Sequence, residues 1–66
     1  IGDWFTLLNT LPVEKKNIVL LKDYYQFSYQ EIADMLGISL AKVKVTLYRT
    51  RKEIQEKMKG SEFHEL

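Results

Sequence analysis

The 66-residue sequence contains no cysteine, one proline, one histidine and three glycines. Without cysteine there is neither a disulfide framework nor a thiolate metal site, and a reducing compartment is compatible with that composition. The one histidine, His64, sits in the C-terminal tail, so no arrangement of nucleophile, base and orienting group can be assembled around it. Gly2, Gly37 and Gly60 lie too far apart to form a phosphate-cradling loop. A single imidazole leaves metal ligation to carboxylates such as Asp23, Glu31 and Asp34, which are better explained as charges on helix surfaces. No apolar run approaches the roughly 18 residues that cross a bilayer, and no signal-peptide pattern is present. A domain this small rarely encloses a cleft of several hundred Å³. Enzymatic function is therefore not expected, nor is any cofactor.

Such a chain must hold itself together by its core. At this length a protein buries only about 60% of its unfolded surface, so stability should be modest. One domain is expected over residues 1–60, followed by a frayed tail at 61–66. The run Gly60-Ser61-Glu62-Phe63 looks like a cloning scar. Ile1 is not an initiator methionine, which suggests a piece cut from a longer protein.

Periodicity predicts an all-α fold of four helices. Asp3 can cap a short first helix on which Trp4, Leu7, Leu8 and Leu11 recur at i, i+3, i+4 and i+7. Pro12 suits the first position of a second helix, where its missing N–H has no partner to lose, and Glu14 sits in the first turn. The centre of that helix, Ile18-Val19-Leu20-Leu21, is apolar on most sides, which marks it as the middle of the core. Tyr24, Tyr25, Phe27 and Tyr29 crowd the junction after it. Most of them are expected to fill the core, with their hydroxyls reaching solvent; the alternative is a surface that docks a partner.

The next stretch, Ser28 to Ile54, carries the functional signal. Ser28 and Glu31 have the spacing of a capping box, and Tyr29, Ile32, Ala33 and Leu36 form one apolar stripe. Gly37 is placed to end the third helix in the left-handed conformation, Ile38 to fall back on the stripe, and Ser39 to cap a fourth helix at once. A turn of about three residues between two helices is a helix-turn-helix connection. On the fourth helix Leu40, Val43, Leu47, Thr50, Ile54 and Met58 fall on one side, and Ala41, Lys42, Val45, Tyr48, Arg49 and Lys52 on the other, with Lys44 on the flank. Gly60 is a plausible C-cap.

Net charge is only +1, but it is unevenly placed. Residues 41–59 hold seven basic side chains against two acidic ones, whereas residues 1–40 hold three basic against five acidic. The positive charge thus sits on the fourth helix. Taken alone it would suit a solvated helix face, with lysines near the C-terminus favoured by the helix dipole.

The run Leu11-Pro12 with Lys16, then Ser28-Tyr29-x-Glu31-Ile32-Ala33-x-x-Leu36-Gly37-Ile38-Ser39, then Val43-Lys44 and Leu47-x-Arg49-x-Arg51, resembles region four of bacterial sigma factors. It is most similar to the small extracytoplasmic-function class, over about residues 3–59. The resemblance implies a cytoplasmic, bacterial four-helix domain that reads the minus-35 promoter element in double-stranded DNA while docked on the flap of core RNA polymerase. An anti-sigma factor is a further implied partner. Two positions depart from the pattern: many relatives have Thr where this chain has Lys42, and a Ser-Arg pair where it has Val45-Thr46.

With the fourth helix in a major groove, Leu40, Ala41, Lys44, Val45 and Tyr48 face the bases. Lys44 is the candidate for a hydrogen bond to guanine O6 or N7, Ala41 and Val45 for contact with a thymine methyl, and Tyr48 for either a base or a phosphate. Lys42, Arg49 and Lys52 flank that strip and suit phosphates. Arg51 points nearer the core and is expected to pair with an acid such as Asp34. Lys16 matches a basic position in the family and is another phosphate candidate. Trp4, Phe5, Tyr25 and Phe27 are the candidates for the partner surface. Two other readings share these features: a helical adaptor that binds protein but not DNA, and the DNA-binding domain of a response regulator.

Overall fold

The computed structural model describes the backbone of residues 4–65 and side chains as far as Met58. Four α-helices account for most of it, and no strand occurs among the described residues. Helix α1 spans Trp4–Leu8, α2 Val13–Val19, α3 Tyr29–Leu36 and α4 Leu40–Glu65. Asp3, the expected cap of α1, lies outside the described residues.

The core forms where the apolar stripes meet. Leu8 and Leu11 from the first segment, Ile18 and Val19 from α2, Ile32 and Ala33 from α3, and Val43, Leu47 and Ile54 from α4 are all buried. Ile18 and Val19 are completely inaccessible, as expected for a helix surrounded by others. Each large aliphatic side chain removed from water in this way contributes about 1.5–3 kcal/mol, and in a cysteine-free chain these few residues carry the fold.

Several local details differ from the pattern that periodicity predicts. Pro12 is the N-cap of α2, one residue before the helix, with φ −55° and ψ 149°. Its carbonyl accepts the Lys16 N–H at 3.0 Å, so its fixed φ serves the approach to the helix. Leu36 and Met58, the last members of their stripes, are exposed, because the core ends before it reaches them. Helix α4 continues through Gly60 to Glu65, so Gly60 does not cap it. A glycine costs only about 1 kcal/mol inside a helix, and no turn pattern comes after it to draw the chain away.

The largest difference lies after α2. The helix does not stop or stay regular; it widens into a π-turn over Leu20–Tyr24. The chain then passes through Gln26 with φ 64°, a left-handed conformation that costs a non-glycine residue about 1–2 kcal/mol. The Phe27 N–H returns to the Leu21 carbonyl at 2.9 Å, and the Tyr25 N–H to that of Leu20 at 3.0 Å. This compact reversal presents Tyr24 and Tyr25 to solvent, at 56% and 60% exposure, so these two tyrosines do not fill the core. Phe27 and Tyr29 are half-buried and pack against it.

Candidate nucleic-acid interface

The capping chemistry fixes the angle at which α4 leaves the body of the domain. At the start of α3 the Glu31 N–H donates to Ser28 Oγ at 3.1 Å, and the Ser28 N–H donates to Glu31 Oε1 at 2.8 Å. At its end Gly37 adopts φ 68° and ψ 35°, a conformation open to glycine without a Cβ penalty. The Ile38 N–H then returns to the Ala33 carbonyl at 3.1 Å, and Ile38 packs on the core. Ser39 Oγ accepts the Lys42 N–H at 3.0 Å, which starts α4 soon after the glycine. These are the elements of a helix-turn-helix, with α4 in the position of the second helix.

Val43, Leu47, Thr50 and Ile54 turn inward from α4, which leaves Ala41, Lys42, Lys44, Val45, Tyr48, Arg49 and Lys52 exposed. Tyr48 is 69% exposed. Among the described residues, Lys44, Arg49 and Lys52 have no carboxylate partner within ion-pair distance. A helix face with unanswered cations beside a valine and a tyrosine offers both phosphate attraction and contacts to base edges.

Lys42 and Arg51 of α4 are each paired with a carboxylate of the protein. Lys42 Nζ lies 3.7 Å from Glu14 Oε2, which ties the first turn of α4 to the first turn of α2, the helix that carries half-buried Lys16. Arg51 donates through Nε to Asp23 Oδ2 at 3.1 Å and through a terminal nitrogen to Asp23 Oδ1. That partner is Asp23, not Asp34. Asp34 instead accepts from Gln30 Nε2 at 3.0 Å, one turn earlier on α3. The hydrogen bond to Asp23 raises the Arg51 pKa above its already high ordinary value; its charge is therefore fixed. A lysine–acid pair, Lys15 Nζ to Glu53 Oε1 at 3.4 Å, ties α2 to α4 farther along.

Lys44 also has a neighbour that sequence reasoning did not anticipate. Its Nζ lies 5.6 Å from the centroid of the Tyr29 ring, and Lys22 Nζ lies 4.5 Å from the same centroid. Both distances fall within the range of cation–π attraction. Lys22 comes from the π-turn, and no periodic pattern in the sequence would have placed it beside α4.

Five aromatic residues form a continuous arc. Trp4 and Phe5 meet edge-on at 5.1 Å, Phe5 and Tyr24 at 5.5 Å, and Tyr24 and Tyr25 at 5.0 Å, after which Tyr25 and Phe27 lie 6.3 Å apart. The π-turn brings together Trp4, Phe5, Tyr25 and Phe27, and inserts Tyr24 between them.

Comparison with known proteins agrees with this geometry. Residues 3–54 match the family described as Sigma-70, region 4. The chain is 39% identical over 51 residues to the RNA polymerase sigma factor YlaC of Bacillus subtilis (strain 168), an alignment covering 77% of this chain and 30% of that protein. The chain thus corresponds to less than a third of the length of that relative. No solved structure matches it.

Proposed function

The chain belongs to the sigma-70 region 4 family, and from that premise we propose that it recognises promoter DNA in transcription initiation. The family consists of transcription factors and not enzymes, and no catalytic role is proposed for this chain. The observation that carries the reading is the exposed face of α4, where Lys44, Arg49 and Lys52 lack carboxylate partners among the described residues and lie beside Ala41, Val45 and Tyr48.

In this reading α4 enters the major groove at the minus-35 element. Lys44 hydrogen-bonds a base edge, and Ala41 and Val45 touch thymine methyl groups. Tyr48 contacts a base or a phosphate. Lys16, Lys42, Arg49 and Lys52 hold the backbone, which sets register and affinity without reading sequence. Lys42 exchanges Glu14 for a phosphate when it does so. The aromatic arc of Trp4, Phe5, Tyr25 and Phe27 docks on the flap of core RNA polymerase, and the same arc serves an anti-sigma factor. The setting is the bacterial cytoplasm. No described helix is long and apolar enough to cross a membrane.

Fluorescence anisotropy of Lys44→Ala and Lys52→Ala on matched and mismatched duplexes tests the division of labour. Lys44→Ala should reduce discrimination between sites by about 1–3 kcal/mol, whereas Lys52→Ala should weaken all duplexes alike. Equal losses on every duplex for both variants would show that Lys44 does not read sequence.

A further inference from the structure

Of the basic residues proposed to read or hold DNA, namely Lys16, Lys42, Lys44, Arg49 and Lys52, Lys42 alone has a carboxylate within ion-pair distance among the described residues. Its partner is Glu14, whose Oε2 lies 3.7 Å from Lys42 Nζ. The Lys15–Glu53 and Arg51–Asp23 pairs involve no residue of that set. Glu14 has a second reason to carry its charge where it does. It sits in the first turn of α2, where the helix dipole favours an anion. Lys42 meets it from the first turn of α4, which starts where Ser39 Oγ accepts the Lys42 N–H. Both side chains are more than half exposed, at 55% and 59%. A pair so open to water is worth no more than about 1 kcal/mol, weak enough for another anion to take the place of Glu14. Position 42 is also one at which this chain departs from the threonine of many relatives, so the pair belongs to this chain and not to the shared pattern.

We propose that Glu14 is an intramolecular competitor of the DNA backbone: its carboxylate occupies the Lys42 ammonium in the free domain, and a phosphate has to displace it when α4 enters the groove. The inference rests on the reading that α4 binds DNA, and adds to that reading a contact that lowers the affinity. Binding exchanges one ion pair for another at Lys42, so this position contributes less than Lys52, whose ammonium has no carboxylate to give up among the described residues. The displaced Glu14 carboxylate is then left beside a polyanion, which opposes binding further. The attenuation falls on a backbone contact, which carries no sequence information. It therefore weakens matched and mismatched duplexes alike and leaves their ratio unchanged. On non-promoter DNA, where the electrostatic contribution supplies essentially all of the binding, Glu14 loosens the hold of the domain on arbitrary sequence.

The test is a double-mutant cycle on duplex affinity at low salt, using the 66-residue chain with circular dichroism as a folding check. Glu14→Gln should tighten binding about two- to fivefold on matched and mismatched duplexes alike, the change that corresponds to releasing an exposed ion pair. In a Lys42→Ala background the same substitution should gain little, because there is no ammonium left to release. Glu56→Gln, which removes the same charge farther along α4, should leave affinity at the parent value. A gain of equal size with and without Lys42, or an equal gain from Glu56→Gln, would show that Glu14 acts through net charge and would overturn the competition. Unchanged binding by Glu14→Gln would overturn it as well, and weaker binding would show instead that Glu14 orients Lys42 for DNA; in each of these cases salt-sensitive binding by the parent chain keeps the DNA reading intact. Absence of salt-sensitive binding by the parent would overturn the DNA reading and the competition with it.

Discussion

Arg51 of α4 and Asp23 of the π-turn form a two-point ion pair across 28 positions of sequence. The pair joins the irregular end of α2 to the middle of the long helix whose exposed face is proposed to bind DNA. It is partly solvent-exposed, with side-chain accessibilities of 47% for Arg51 and 28% for Asp23, so screening limits its strength. A double-mutant cycle with Asp23→Ala and Arg51→Ala should give a coupling energy of about 0.5–1 kcal/mol by urea denaturation, and raised salt should reduce it. A coupling near zero at low salt would show that the orientation of α4 does not depend on this contact.

Thr50 occupies a core position on α4 and is fully buried, yet its hydroxyl has no hydrogen-bond partner. Replacing a buried, unsatisfied hydroxyl by a methyl group of nearly the same shape removes a desolvation cost. Thr50→Val should therefore stabilise the domain by about 1 kcal/mol, read as a higher urea midpoint at unchanged slope. Thr50→Ser, which leaves a void and keeps the hydroxyl, should destabilise it.

Gln26 is held at φ 64° without being a glycine. Gln26→Gly should relieve that strain and raise stability by up to about 1 kcal/mol, the gain being reduced by the greater freedom of glycine in the unfolded chain. Gln26→Ile should lower stability by about 1 kcal/mol or more, since a β-branched residue tolerates this conformation poorly. Thermal unfolding of the two variants checks the prediction; equal melting temperatures would contradict it.

Phe5 and Tyr25 are 50% and 60% exposed, so shortening them removes little buried surface from the fold. Phe5→Ala and Tyr25→Ala should change stability by less than about 1 kcal/mol and leave duplex affinity as it was. Their binding to a flap fragment of core RNA polymerase, measured by calorimetry, should weaken at least about tenfold if the arc is a docking centre. Undiminished binding would remove the arc from the polymerase interface.

The helix-turn-helix was legible in the sequence because its signals are local. Ser28, Glu31, Gly37 and Ser39 act on backbone groups within a few residues of themselves, so their spacing specifies the caps that form. The inward stripe of α4 was legible for the same reason, being a matter of helical period. The π-turn was not. No glycine marks position 26, and the continuous apolar run of α2 carries no sign of where it widens. The consequences of that turn were hidden with it: the exposure of Tyr24 and Tyr25, the choice of Asp23 over Asp34 by Arg51, and the meeting of Lys22 and Lys44 at Tyr29. Each depends on how two distant segments are rotated against one another, which tertiary packing decides. The orphaned Thr50 hydroxyl is also invisible to periodicity, because threonine fits an apolar stripe by shape.

The most direct test of DNA reading is an NMR titration of the isotope-labelled chain with a short duplex carrying a candidate minus-35 sequence, at two salt concentrations. Promoter recognition predicts salt-sensitive shifts concentrated at residues 41–52, joined by Lys16. Shifts absent or scattered over the surface even at low salt would contradict it and leave the aromatic arc as the working face of the domain.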